Sequence, residues 1–253
     1  MKIFILFFAV SCGSFGNKGS LPDGKTDYSY TDVSGTYRLT REKKMINKKI
    51  VTRTQVLVST GGHAKVLEKS ITLSQLGSIK SKDKRLLTVR PEASEFNVWL
   101  EGKNYSTKMS LDLKNKSLQI TLKSPEQKWN GIKTVPFPKG KYFCFYSQIP
   151  ECLYHLQFLQ KIYKNPKETL DFYVIWDSYP YVQEQLSGVG RNVFSAASIK
   201  FDGKLKKLLK YEVELDGQTL LYHFSNSFEL VKIAWISQGI TVLPYGEESL
   251  DNE

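Results

Sequence analysis

The chain has 253 residues, 41% hydrophobic and 13% aromatic, with 9 prolines and 17 glycines. That composition excludes a disordered or collagen-like polymer and carries enough apolar side chain for one large domain or two small ones. Lys and Arg number 36 against 25 Asp and Glu, a net charge of +11, so the surface favours anionic partners without naming them.

Residues 1–12 read MKIFILFFAVSC: a lysine, an apolar run at 3–10, then Ser11 and Cys12. The run is too short to span a hydrocarbon core, which takes about 20 helical residues, and reads as the apolar stretch of a cleaved signal peptide. Its end, Ala9-Val10-Ser11-Cys12, resembles the lipobox of bacterial lipoprotein signal peptides. The resemblance implies a signal peptide over residues 1–11 and a Cys12 carrying palmitate-type acyl chains. With Gly13 where an inner-membrane retention signal has Asp, it also implies an outer-membrane anchor facing the periplasm or the cell surface. The competing expectation is a secretory cut near Ser14 that discards Cys12. Once lipidation takes Cys12, Cys144 and Cys152 remain as a pair in a compartment that permits disulfides. Two buried free thiols are the alternative.

Residues 12–33, rich in Gly, Ser, Asp and Lys without apolar periodicity, read as a flexible tether reaching about 25 Å. A β-rich domain then runs over residues 34–245, before an acidic tail at 246–253. Tyr37 and Leu39 open a first strand. Ile50, Thr52, Thr54, Val56 and Val58 alternate along a second up to Gly61-Gly62, and residues 66–73 form a third. Phe96, Val98 and Leu100 lead through a turn at 101–104 into a strand with Tyr105, Thr107, Met109, Leu111 and Leu113 on one face. Leu118, Ile120 and Leu122 follow in the next strand. The result is an antiparallel meander with one wet side. Pro125 to Gly140 breaks the pattern.

Residues 142–146 form an aromatic strand. Ile149, Cys152, Leu153, Leu156, Leu159 and Tyr163 then recur at three and four, predicting one amphipathic helix over about 149–164 that Asn165-Pro166 stops. Strands are predicted again at 170–176, 182–186 and 192–201, and around the Asp216-Gly217 turn, the strongest hairpin signal in the chain. The fold class is therefore mainly β (α+β): a long curved antiparallel sheet, or half-barrel, wrapping one helix. A long meander, a mid-chain helix and more meander resemble the half-barrel envelope proteins, including the lipoprotein carriers of the Lol pathway. That resemblance implies a concave sheet that holds an acyl chain or closes on its helix.

No catalytic or metal motif emerges. His63, His155 and His223 lie in unrelated contexts, and no nucleophile elbow or phosphate loop is present. Asp171, Asp177 and Glu184 are the carboxylates an envelope hydrolase would have to bring together. The expectation is a binding protein and not an enzyme, with no metal, no cofactor and no nucleic-acid partner. Its ligand is a lipid or other amphiphile in a sheet–helix groove lined by Leu153, Leu156, Leu159, Phe172 and Trp176. Alternatively it is a structural lipoprotein that contacts other envelope proteins and has no ligand cavity. Lys43, Lys44, Lys48 and Lys49 are candidates for contact with an anionic glycan or lipid headgroups.

Overall fold

The computed structural model describes residues 24–30, 37–60, 63–81, 84–112 and 114–244. Cys12, the signal segment and the acidic tail lie outside the described residues, as do Gly61-Gly62 and Leu113. The first half of the chain supplies β1 (Gly24–Tyr30), β2 (Tyr37–Ile46), β3 (Lys49–Thr60), β4 (His63–Ser81), β5 (Lys84–Leu100), β6 (Lys103–Asp112), β7 (Ser117–Lys123) and β8 (Gly131–Pro136). The second half supplies β9 (Phe143–Phe145), β10 (Thr169–Ile175), β11 (Phe194–Leu205), β12 (Leu208–Leu215), β13 (Gln218–Phe224), β14 (Leu230–Trp235) and β15 (Ile240–Pro244).

All fifteen join one hydrogen-bonded run in the order β8-β7-β6-β5-β4-β3-β2-β1-β15-β14-β13-β12-β11-β10-β9. Neighbours are antiparallel except β9 and β10, which run parallel. A parallel pair needs a crossover, and the helical segment between these two strands provides it. Register shifts interrupt β3–β4, β4–β5, β11–β12 and β13–β14. Each such bulge bends its strand, and the sheet curls into a half-barrel.

The fold class matches the sequence expectation, and four local elements differ. Gly24–Tyr30, inside the predicted tether, is a strand paired with both β2 and β15. Gly131–Pro136, within the stretch Pro125 to Gly140 read as a break in the pattern, is a strand on the rim of the sheet, where a missing N–H is tolerated. Residues 182–186, read as a strand, begin with the short helix α3 (Val182–Gln185). The predicted helix is two helices, α1 (Ile149–His155) and α2 (Phe158–Lys164), separated by Gln157 at φ 60°.

The break has a packing cause. One straight helix would bury a single stripe, yet Tyr154, Phe158 and Ile162 are apolar too and fall on the opposite side of that stripe at four-residue spacing. The left-handed residue re-aims the second helix, so Phe158, Leu159 and Ile162 are all buried while Tyr163, a member of the predicted stripe, is 37% exposed.

Residues 140–193 fill the concave side. Phe145 and Ile175 pack with Met109, Leu118, Ile120 and Leu122 on the inner face of β6 and β7, and Tyr181 closes on Phe96, Val98 and Tyr105. The helices pack with Phe172, Ile199, Tyr211, Val213 and Tyr222 of the second half. Gly188-Val189-Gly190 is a tight loop: a Cβ on Gly190, at φ +66°, would meet Val182 Cγ1 at 2.3 Å.

Candidate functional site

The five residues expected to line a lipid groove do come together, but as closed core. Leu153, Leu159 and Trp176 are 0% exposed, Phe172 is 3% and Leu156 is 7% exposed, all in one cluster. Cys144 and Cys152 are joined by a disulfide with Cα atoms 5.8 Å apart, which ties β9 to α1. Trp176 stacks on Tyr146 with ring centroids 4.6 Å apart, and its Nε1–H donates to Ser195 Oγ at 2.7 Å.

Beside this core lies a buried polar seam, where the 3₁₀ turn Tyr146–Gln148 and the start of α1 press on β2, β3 and β4. Gln148, 1% exposed, is its centre. Its Oε1 accepts from Ser74 Oγ at 2.6 Å. Its Nε2 donates to Thr72 O at 3.1 Å, Thr52 Oγ1 at 3.2 Å and Ile50 O at 3.3 Å. Arg41 pairs with the buried carboxylate of Glu151 and also donates to Ser147 O at 3.2 Å. Ser147 in turn donates its N–H to Asp177 Oδ1 at 3.4 Å. Burial pushes the Asp177 carboxyl above its ordinary range against the Ser147 hydrogen bonds. Burial likewise raises the Tyr222 hydroxyl, which also feels Arg41 and Glu151. The seam is a satisfied hydrogen-bonded latch between two sequence-distant segments.

The lysine candidates do not form one exposed surface. Lys43 faces inward beside Thr52 and is 5% exposed. Lys44 pairs with Glu42 at 2.9 Å and Lys49 with Glu92 at 2.8 Å, while Lys48 is exposed. Of the hydrolase carboxylates, Asp171 is exposed on β10 while Asp177 is buried in the seam; the Glu184 side chain lies outside the described residues. Among the described residues no cluster of His, Cys, Asp or Glu fits a metal ion.

Two surface features had no clear signal in the sequence. An open hollow of about 450 Å³ on the outer face is lined by Ile71, Leu73, Ala93, Glu95, Lys108 and Ser110, among others, and is crossed by the Lys108–Glu95 ion pair at 3.0 Å. The second feature is β8, whose residues are exposed except for half-buried Val135. Both depend on the register between successive strands of the meander, which the alternation within each strand does not announce. No protein-family model, curated protein or solved structure matches this chain.

Proposed function

We propose that the chain is an outer-membrane lipoprotein, held by acylated Cys12, whose β-rich body serves envelope complexes as an interaction module and binds through its surface, without catalysing a reaction. The observation that carries this reading is the closed state of the sheet–helix interface, where Leu153, Leu156, Leu159, Phe172 and Trp176 are at most 7% exposed. An acyl chain entering there would return the apolar contacts it displaced, about 0.8 kcal/mol per buried CH₂. It has no donor or acceptor to replace the bonds of Gln148 or the partner of Glu151, and stranding such groups costs about 1–3 kcal/mol each, more for the charge.

Two measurements test the reading. Metabolic labelling with a clickable fatty acid is expected to mark the wild-type protein and not Cys12→Ser, which should leave the membrane fraction. Label retained on Cys12→Ser overturns the anchor. Native mass spectrometry of protein extracted from its own membrane is expected to find no lipid beyond the covalent one. A second, stoichiometric lipid, lost when Leu153→Trp fills the interface further, would restore the carrier in place of the interaction module.

A further inference from the structure

An open run of strands has two rims, and here they are unlike. At one rim β9 spans only Phe143–Phe145, with Cys144 and Phe145 at most 1% exposed beneath the sheet. At the other rim β8 has no neighbour beyond it among the described residues. The Phe137 N–H donates to Lys116 O at 3.0 Å, which fixes the phase of the β7–β8 ladder. Val135, Lys133 and Gly131 exchange bonds with Leu118, Ile120 and Leu122, while the backbone groups of Ile132, Thr134 and Pro136 point away from β7. Pro136 lacks an N–H only where none is used. The rim therefore offers the N–H and C=O of Ile132 and of Thr134, and the C=O of Pro136.

We propose that this edge accepts an added strand from an acidic, extended segment of another envelope protein. Charge selects the partner. Residues 123–141 carry Lys123, Lys128, Lys133, Lys139 and Lys141 against Glu126 alone, and Glu126 is engaged by Lys128 at 3.3 Å and by the Tyr105 hydroxyl at 2.8 Å. A second copy of β8 paired about Lys133 would set that lysine against its own copy, which destabilises a strand pair.

Register sets the pattern of the partner. Ile132, 68% exposed, extends the outer-face row Ile71, Glu95, Lys108 and Thr121 that borders the hollow. Lys133 lies on the opposite face, its Nζ 5.9 Å from the Tyr179 ring. An incoming strand thus meets Ile132 and Thr134 on the outer face and one basic residue, Lys133, on the opposite face, so apolar residues suit its outer side and an acidic residue suits the side that faces Lys133. This deepens the surface-binding reading and rests on it, but not on the lipid anchor.

The test uses the folded chain and an eight-residue peptide alternating Val and Glu, with a Val/Lys peptide as control. The acidic peptide is expected to bind and to slow amide hydrogen exchange at Ile132 and Thr134 at least tenfold. Thr134→Pro is expected to weaken binding at least tenfold without shifting the thermal midpoint, and Lys133→Glu, which leaves the backbone intact, to do the same. Binding without protection of those amides, equal binding of the Val/Lys peptide, or edge protection that rises with protein concentration alone each overturns the proposal. Photo-crosslinking in the cell envelope separates the two readings. Adducts from Ser110 with none from Thr134 would discard the edge and keep surface binding, whereas a stoichiometric bound lipid would discard the interaction module and leave the peptide result standing.

Discussion

Arg41 of β2 and Glu151 of α1 form an ion pair that joins segments distant in sequence, with side chains 12% and 2% exposed. Removing one member of such a pair leaves the other unpaired in a low dielectric, whereas removing both returns an apolar contact. Arg41→Met is therefore expected to lower unfolding free energy in urea by about 3–5 kcal/mol. The double variant Arg41→Met, Glu151→Leu should regain most of that loss. A single variant as stable as wild type would show that water reaches Glu151.

Asp177 titrates the same seam with the opposite preference, for the neutral form. Its folded-state pKa lies above the ordinary 3.8 because burial disfavours the carboxylate. The native state therefore holds the proton more tightly than the unfolded chain, and the contribution of Asp177 is full below pH 3.8 and lost as pH rises through the raised value. Glu126, held down by the Tyr105 hydrogen bond and by Lys128, acts in the reverse sense. The informative quantity is thus the difference between Asp177→Asn and wild type, expected to be constant below the ordinary carboxyl value and to grow in favour of Asn above it. A difference that stays flat across the acid range would mean that Asp177 is solvated. None of this was legible in the sequence, because the partners of Gln148 lie 74 to 98 residues away and Thr52, Thr72 and Ser74 look like any strand polar residues until the helical segment lies over them.

At the scale of elements, legibility followed the locality of the signal. β6 and β7 lie within a residue or two of the alternating pattern that predicts them, and Met109, Leu118, Ile120 and Leu122 are buried as the alternation requires. The Asp216-Gly217 hairpin has both central residues at positive φ, 51° and 74°, which that turn demands. The helix failed at its middle because two apolar stripes competed, and the outcome is a glutamine in a conformation that glycine adopts freely. Gln157 is exposed and its side chain makes no hydrogen bond among the described residues. Gln157→Gly is therefore expected to stabilise the protein by about 0.5–1 kcal/mol, read as a rise in the urea midpoint. A fall would show that the entropy glycine adds to the unfolded chain outweighs the strain it relieves at this left-handed position.

For the whole molecule, the question is whether fifteen strands behave as one unit. β1 stitches the halves edge to edge through β2 and β15, and residues 140–193 fill the inner faces of both. Trp99 and Trp129 sit within the β1–β8 part of the chain, Trp176 and Trp235 within the β9–β15 part. With 5-fluorotryptophan incorporated, all four fluorine resonances are expected to lose their native positions at one urea midpoint. The disulfide sharpens the test, because Cys144 of β9 and Cys152 of α1 lie in the segment that serves both halves. Cys144→Ser with Cys152→Ser removes a short loop closure of about 2–3 kcal/mol in the chain-entropy estimate. If the filled interior couples the halves, all four resonances shift to lower urea together. A shift confined to Trp176 and Trp235 would split the molecule into two units joined only at β1, and the closed interface would then be a property of the second half alone.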